Sequence, residues 1–243
     1  MMKTLIIYFT IIGFIFVGYS CNSNSEGNSD NSGIGGSTAR FTIKGNYLYA
    51  VNNQTLKVFD ISSPQSVLYK KDKFIGFGIE TIFPFEDKLF IGSQNGMYVY
   101  DVSNPELPEQ LCQFSHVFSC DPVISDGKFA YVTLHSENSR CGRTTNELQI
   151  INIEDITKPV FIKSYPMSKP LGLGIDNKKL FVCDNGIKIF NITNEGTLIQ
   201  TEYLSVDALD VIPYKNLLIT VGLNSLTQYD YSTDKLVLLS TVK

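Results

Sequence analysis

The stretch Leu56-Lys-Val-Phe-Asp60-Ile-Ser-Ser-Pro64 decides the fold, because versions of it recur along the chain. In each version an apolar strand ends at Asp or Asn, and in the first two a turn with Ser and Pro follows. Alternation of apolar and polar residues with period two is typical of a half-buried β-strand. The other copies are Met97-Tyr-Val-Tyr-Asp101-Val-Ser-Asn-Pro105, Leu148-Gln-Ile-Ile-Asn152-Ile, Ile187-Lys-Ile-Phe-Asn191-Ile and, more weakly, Leu226-Thr-Gln-Tyr-Asp230-Tyr.

The spacing of these copies gives the length of the repeat. The gaps between the five Asp or Asn residues are 41, 51, 39 and 39 positions. The period is therefore about 40 residues, and the third unit carries an insertion of about ten. A period of this size with only strand signals predicts an all-β protein. We expect a β-propeller of five four-stranded antiparallel blades over residues 39–243.

Turn residues and chain ends refine this architecture. Asn95-Gly96 and Asn185-Gly186 predict tight hairpins, because a type I′ turn needs positive φ at both central residues. Both ends of the repeat region fall at blade boundaries, so no strand is exchanged between the termini to lock the ring. Closure is then expected to rest on apolar packing between the first and last blades. The alternative is an open stack of blades that closes by dimerising.

Composition limits the possible partners. Hydrophobic residues make up 43% and charged residues 18% of the chain, a balance that favours a globular domain. The net charge is −4, and it becomes −5 if a leader that contains Lys3 is removed. No run of Lys or Arg is present, which argues against nucleic acid and against anionic lipid surfaces as partners. The sequence contains no Gly-rich phosphate loop, and we expect no cofactor. It also contains no pattern that indicates a Ser-His-Asp triad.

The N-terminus has the layout of a secretory signal over residues 1–20. Met1-Met-Lys3 is positive, Leu5 to Val17 is apolar, and small residues precede Cys21. The apolar run is shorter than the roughly 20 residues of a membrane span. A Cys at this place resembles the lipobox of bacterial lipoproteins, including the looser boxes of Bacteroidota-like lipoproteins. The resemblance implies acylation of Cys21 and an outer-membrane lipoprotein of the cell envelope, on its periplasmic or surface side. The alternative is an ordinary cleaved signal peptide with Cys21 as a bystander.

Residues 21–38 are predicted to form an acylated Cys followed by a flexible tether. Nearly all residues from Asn22 to Thr38 are Asn, Ser, Gly, Asp or Thr. Such a segment buries too little apolar surface to offset its ordering entropy.

The recurring Asp and Asn residues are interpreted as structural. Each ends a strand before a turn, where an Asx side chain can accept hydrogen bonds from amides two residues further on. Asn at the third and fourth units can do this as well as Asp, whereas a site for a hard cation would lose charge there. We therefore expect turn clips at these positions rather than metal ligands.

The candidate site lies on the face where the inner strands begin, because loops on rigid sheets are where binding sites tend to be built. The polar insertion of the third blade, residues 134–145, is the main candidate. Its positive side chains suit a ligand that carries carboxylate or sulfate groups, although the insertion could also be inert. The predicted binding-face residues are His116, His135, Arg140, Arg143 and Asp184.

Cysteine positions predict one disulfide in an oxidising compartment. Cys120 begins an inner strand and Cys141 lies in the hairpin insertion of the same blade, so Cys120–Cys141 is the favoured pairing. Cys183 is a rival partner for Cys141, and Cys112 is interpreted as a small buried hydrophobe. A zinc site made from His135 and these cysteines lacks the usual close ligand spacing, so no metal is expected.

The recurring third strand and the Ser-Asn-Pro turn resemble the LVIVD-repeat family, and Leu56-Lys-Val-Phe-Asp60 is the nearest copy. The resemblance extends through Cys120-Asp-Pro122, Tyr131-Val-Thr-Leu134, Leu171-Gly-Leu-Gly174 and Leu180-Phe-Val-Cys-Asp184. It covers blades one to four well and blade five poorly. The family implies an exported, often lipid-anchored bacterial protein with no established enzymatic activity.

Two functions from different classes follow. The first is a lipid-anchored, non-catalytic module that binds an envelope protein or a cell-surface glycan, with a purely structural envelope role as a variant. The alternative is a hydrolase acting on glycans with carboxylates at the mouth of the propeller, for which Glu80, Asp121 and Asp207 are the candidates. Such a pair needs carboxyl groups about 5–5.5 Å apart for retention or about 6.5–9.5 Å apart for inversion.

Overall fold

The computed structural model describes residues 35–115, 122–135, 146–233 and 235–243. All of them belong to one compact unit that spans Asn31–Lys243. Within these ranges the chain forms strands and turns and no α-helix. A helix with the length and apolarity needed to span a membrane is accordingly not found in the described part of the chain.

Twenty strands form five antiparallel sheets of four, and each sheet uses four consecutive strands, which confirms the predicted five-bladed propeller. Blades 1 and 2 contain β1 Phe41–Lys44, β2 Tyr47–Val51, β3 Thr55–Ser63, β4 Ser66–Phe74, β5 Ile79–Phe85, β6 Lys88–Ser93, β7 Gly96–Asp101 and β8 Glu109–Ser115. Blades 3 and 4 contain β9 Val123–Ser125, β10 Phe129–Leu134, β11 Glu147–Asn152, β12 Val160–Pro166, β13 Pro170–Asp176, β14 Lys179–Asp184, β15 Ile187–Ile192 and β16 Leu198–Leu204. Blade 5 contains β17 Asp210–Tyr214, β18 Leu217–Val221, β19 Leu226–Asp230 and β20 Val237–Val242.

The predicted hairpins at the two Asn-Gly pairs are present, but the backbone of the first pair differs from the expectation. Gly96 pairs with Ser93, so the two turn residues are Gln94 and Asn95, and Asn95 does not have positive φ. Positive φ at both residues occurs at the second pair, Asn185 and Gly186, and also at Lys215 and Asn216, which join β17 to β18. The last of these turns contains no Gly that would mark it in the sequence.

Apolar clusters join the blades in sequence. Successive side chains of a strand point to opposite faces of its blade, and each face can pack against a different neighbouring blade. A blade with two neighbours therefore contributes to two clusters. One cluster joins blades 1 and 2, a second blades 2 and 3, a third blades 3 and 4, and a fourth blades 4 and 5. The largest buried side chains, including Tyr49, Tyr100, Tyr131 and Phe181, belong to these clusters.

The expected apolar packing between the first and last blades is not observed. None of the four clusters joins blade 5 to blade 1. Large apolar side chains on the facing surfaces, such as Phe41 and Leu226, are exposed. The prediction that this packing closes the ring is therefore wrong for the single chain, because the two blades do not bury these side chains against each other.

Residues 35–40, here called the strap, join blade 5 to the rest of the ring. Gly35 lies in the wall of a cavity at the end of the central channel where the inner strands finish. Thr38 and Arg40 lie in the wall of another cavity, at the end where the inner strands begin. The strap thus runs along the channel. We call the end at which the inner strands begin the upper face, and the end at which they finish the lower face.

The strap is fixed by hydrogen bonds to three blades. The amide of Ile82 in blade 2 donates to Ala39 O at 2.9 Å, and the amide of Leu173 in blade 4 donates to Ser37 Oγ at 2.7 Å. Ser37 also donates to the Asp210 carboxylate of blade 5. Residues 35–38, which composition assigns to the tether, are therefore part of the folded unit. Residues 21–34 lie outside the described residues.

The recurring Asp and Asn residues are turn clips, as predicted, in four of the five blades. The carboxylate of Asp60 accepts a hydrogen bond from Ser62 N, that of Asp101 from Ser103 N and that of Asp230 from Ser232 N, at 2.7–2.9 Å. Asn152 accepts from Glu154 N at 2.8 Å. Hydrogen bonds from the side chains and then the amides of Ser62 and Ser103 lower the pKa of Asp60 and Asp101, because they favour the charged form. The amide and side chain of Ser232 lower the pKa of Asp230 in the same way.

We predict that Asp101→Ala lowers the free energy of unfolding by about 0.5–1 kcal/mol, because the Ser103 amide loses its acceptor at a partly exposed site. Asp101→Asn keeps an acceptor oxygen and should retain most of this stability. Urea unfolding of both variants checks the difference. Equal losses in the two variants would mean that charge, rather than the hydrogen bond, matters at this turn.

Candidate functional site

The upper mouth of the channel contains a cavity of about 460 Å³ to which all five blades or their connections contribute. The inner strands begin around it, and β10 of blade 3 ends at it. This arrangement agrees with the face predicted for the site. Its lining residues are Thr38, Arg40, Glu80, Thr81, Pro122, His135, Pro170, Leu171 and Leu209.

Two charged side chains of this cavity are held by neighbours. Arg40 Nε donates to the backbone oxygen of Glu80 at 3.1 Å, which leaves the terminal nitrogens of an exposed guanidinium beside the mouth. The Glu80 carboxylate accepts a hydrogen bond from Gln94 Nε2 at 2.9 Å. The mouth therefore offers both a cationic donor and an anionic acceptor to a ligand.

His135 lies where β10 reaches the upper face, at the start of the insertion. Its Nδ1 is 3.2 Å from Asn146 Oδ1, and Asn146 Nδ2 donates to Ser168 O at 2.9 Å. These contacts join the two ends of the insertion to the connection that precedes blade 4. His135 is thus positioned by the scaffold. The rest of the insertion, with Arg140 and Arg143, lies outside the described residues.

Asp184 is buried and acts within the scaffold. Its carboxylate accepts hydrogen bonds from the amides of Ser168 and Lys169 and lies 2.6 Å from Lys188 Nζ. Burial acts to raise the pKa of Asp184, but Lys188 and the two amides outweigh it and the pKa is lowered. The group ties the blade 3–blade 4 connection to β14 and β15, near the predicted binding face.

The carboxylates proposed for hydrolysis are not gathered in one place among the described residues. Glu80 lines the upper cavity, whereas Asp207 is not among its lining residues. Asp207 is exposed, and its carboxylate accepts a hydrogen bond from Leu223 N at 2.8 Å in the β18–β19 hairpin. Asp121, the third candidate, lies outside the described residues, as do His116, Cys120, Cys141 and the lipidation candidate Cys21.

Cys112 and Cys183 are free thiols, and both are buried. Burial raises the pKa of Cys112 to about 11, which fits its interpretation as a small hydrophobe. Cys183 is fully buried between blades 4 and 5, and burial raises the pKa of its thiol as well. It therefore does not pair with Cys141. The Cys120–Cys141 disulfide stays a prediction.

Asp210 is the buried acid that sequence analysis missed. Both Ser37 Oγ and Thr38 Oγ1 donate to its carboxylate, at 3.1 and 2.6 Å, and the amide of Thr38 donates as well. Gly36 and Gly172 flank the carboxylate so closely that a Cβ at either position would collide with it. Burial raises the pKa of Asp210, and the hydrogen bonds from Thr38, Val211 and Ser37 offset only part of this effect.

Register could have identified Asp210. It lies four residues before Tyr214, where β17 meets its hairpin, as Thr81 lies four residues before Phe85 in β5. Counting back from the hairpins, instead of forward from the connections, places Asp210 rather than Asp207 on the inner strand. The described residues contain no group of three or more His, Cys, Asp or Glu side chains that could hold a metal ion.

Comparison with known proteins agrees with this architecture. The LVIVD repeat model matches residues 35–71 and 86–110, which include the strap, blade 1 to the middle of β4 and most of blade 2. These segments amount to less than half of the chain, and together with the five blades they support the LVIVD β-propeller family. No curated protein matches the chain.

Several solved structures share the fold at low sequence identity. A putative 6-phosphogluconolactonase from Bacteroides fragilis is similar with a TM-score of 0.64 and 16% identity, covering 84% of this chain and 69% of its own. The periplasmic gluconolactonase PpgL from Pseudomonas aeruginosa gives 0.61 and 17%, covering 82% and 67%. A protein from Lactobacillus plantarum gives 0.63 and 16%, covering 81% and 67%. This chain thus spans about two thirds of each relative's length.

We predict that the stability difference between the wild type and Asp210→Asn changes with pH. Because the folded state raises the pKa of Asp210, its stabilising contribution is largest below the unfolded value of about 3.9 and is lost as pH rises through the folded value. The wild type should therefore lose stability relative to Asp210→Asn between about pH 3.5 and pH 7. Denaturant unfolding at each pH measures the difference.

Asp230→Asn is the matched control, because hydrogen bonds from Ser232 lower the pKa of Asp230. Its stabilising contribution is present above the unfolded pKa and is lost as pH falls through the folded one. The difference between the wild type and this variant should therefore grow over the same range. Parallel pH profiles for the two differences would show that the Asp210 carboxyl is not desolvated.

Proposed function

We propose that this chain is a lipid-anchored envelope propeller that binds a cell-surface glycan or a partner protein at its upper face without catalysis. The observation that carries the proposal is the upper cavity, which gathers side chains from the strap and from blades 2 to 5. Ligand sites are concave, largely apolar and fitted with a few polar groups that fix orientation. Pro122, Pro170, Leu171 and Leu209 supply the apolar walls, and Arg40 supplies the charged donor.

The exposed guanidinium of Arg40 favours a ligand with carboxylate or sulfate groups. An exposed guanidinium forms charge-assisted, often bidentate hydrogen bonds with such groups. Arg140 and Arg143 of the insertion add to this charge in the proposal. An acidic glycan that contains uronate or sulfate is therefore the preferred ligand class.

The strap also supports an orientation for an anchored protein. Gly35 lies at the lower mouth, so a tether that precedes it joins the propeller on the lower face. An acyl group on Cys21 would then hold the lower face toward the lipid and leave the upper cavity open to ligands. The signal and lipobox features of residues 1–21 support the anchor.

A hydrolase is the second candidate. It is favoured by Glu80 in the cavity wall and by a fold shared with the Bacteroides fragilis and Pseudomonas aeruginosa proteins, whose names describe lactonases. At such low identity this similarity concerns the fold alone. The test is whether the protein hydrolyses aldonolactones or acidic oligosaccharides. If the wild type releases product and Glu80→Gln does not, the hydrolase replaces the non-catalytic proposal.

We predict that Arg40→Ala weakens binding of sulfated or uronate-containing oligosaccharides by about tenfold or more, since a hydrogen bond to a charged group contributes about 1.5–3 kcal/mol. Arg40→Lys should lose less, because it keeps the charge. Lys71→Ala, which removes an exposed cation from the outer strand β4, is the control. Calorimetry or a glycan array gives the affinities.

Deletion of residues 136–145 tests the role of the insertion in the same assay and in pull-downs from native envelopes. A loss of binding would place the insertion in the site. If Arg40→Ala and Lys71→Ala bind alike, the upper cavity is not the glycan site. If the wild type binds neither acidic glycans nor an envelope protein, the proposed function is wrong.

A further inference from the structure

Within the described residues, two blade faces have no neighbouring blade on the side between blade 5 and blade 1. The leading face of blade 1 consists of the side chains that point away from blade 2, and the trailing face of blade 5 of those that point away from blade 4. The leading face includes Phe41, Ile43, Leu48, Ala50 and Phe59. The trailing face includes Ile212, Leu217, Ile219, Val221 and Leu226.

Both faces are largely apolar and open to solvent, and the trailing face also carries Gln228 and Asp230, which pair with Ile219 and Leu217. Phe41 is 61% and Ile43 45% exposed, while Leu226 is 43% and Val221 38% exposed. On the leading face Lys57 is the charged residue next to the apolar row, and it is paired with Asp72 at 3.4 Å. Contiguous apolar surface of this kind is uncommon on a soluble monomer and marks an interaction site.

The chain itself shows what covers such a face. The hairpins β1–β2 and β5–β6 each leave two residues between paired positions, Lys44 with Tyr47 and Phe85 with Lys88. In this register Phe41, Leu48 and Ala50 correspond to Ile82, Leu89 and Ile91 of blade 2. Those three are at most 1% exposed, because blade 1 packs on them.

The trailing face of blade 5 corresponds to the surface that does this packing. Ile219, Val221 and Leu226 occupy the register positions of Tyr49, Val51 and Leu56, the blade 1 side chains that bury blade 2. The described residues therefore carry both halves of the interface that the chain uses between its own blades, one half on blade 1 and the other on blade 5.

We propose that two copies of this chain associate head to tail, with the leading face of blade 1 in one copy packed on the trailing face of blade 5 in the other. A second copy is the occupant that supplies the complementary half with the same strand spacing and apolar pattern. The contact is heterologous, so it either closes into a ring of copies or continues into a longer assembly. It is independent of the upper cavity and of any ligand.

The test uses one variant at each half of the contact. Phe41→Asp introduces a charge into the leading face, and Leu226→Asp into the trailing face. Phe161→Asp is the matched control, since Phe161 is 47% exposed on β12 of blade 3, away from both faces. All are made in the full chain with Cys21→Ser, so that no acyl group contributes to association, and are studied by sedimentation and light scattering.

We expect the wild type and Phe161→Asp to associate and each face variant to be monomeric. An equimolar mixture of Phe41→Asp and Leu226→Asp should form a 1:1 dimer, because each variant keeps the half that the other has lost. This recovery also shows that both variants are folded.

Other outcomes overturn the proposal. If Leu226→Asp still dimerises and Phe41→Asp does not, the contact is symmetric and formed by blade 1 of both copies. If Phe41→Asp still dimerises and Leu226→Asp does not, the contact is symmetric and formed by blade 5. A wild type that stays monomeric up to about 100 μM, where even weak specific complexes are populated, means that no second copy covers these faces. Failure of glycan binding leaves this test unaffected.

Discussion

The hydrogen-bonded contact between the Asp210 carboxylate and the strap is the interaction on which this propeller depends. It joins residues that are 173 positions apart and connects the last inner strand to the segment before the first. The same strap accepts hydrogen bonds from blades 2 and 4, so the channel is lined by a polar backbone instead of remaining empty. Because blades 1 and 5 do not pack together, the hydrogen bonds of the strap connect blade 5 to the rest of the ring.

Two buried carboxylates show how local partners decide the charge of similar groups. Burial acts to raise the pKa of both Asp184 and Asp210. Lys188 lies beside Asp184 and reverses the effect, whereas the donors to Asp210 are hydroxyl and amide groups that reverse it only in part. One acid is thus a fixed ion pair of the scaffold, and the other is a proton-sensitive clamp on the strap.

Much of the fold was predictable from the sequence, because the period near 40 and the two-residue alternation reflect local strand geometry. The Asx clips were predictable for the same reason, since each depends on residues two positions apart. The Asp210 contact was not, because Ser37 and Thr38 lie in a segment whose composition indicates a tether. The open side between blades 1 and 5 was also not predictable. Phe41 and Leu226 have the apolar pattern of buried strands, and only the tertiary structure shows that none of the described residues buries them.

Of the residues that line the candidate site, the sequence identified His135 and Glu80 but not Arg40. Hairpin topology placed the inner-strand starts and His135 on one surface, and the cavity is there. Arg40 was missed because it lies just before β1, and its approach to Glu80 in the next blade depends on the course of the strap. Asp207 was chosen because it lies in the connection that precedes the last inner strand, and the length of such connections varies between blades.

The open side has a consequence for how the strap reaches its place. A segment that runs along the channel of a closed ring must be threaded through it or enclosed as the ring forms, and natural chains avoid threading. Here a gap between blades 1 and 5 runs beside the channel, so the strap can be inserted sideways after the five blades have folded. The strap can then reach Asp210 without being threaded through a closed ring.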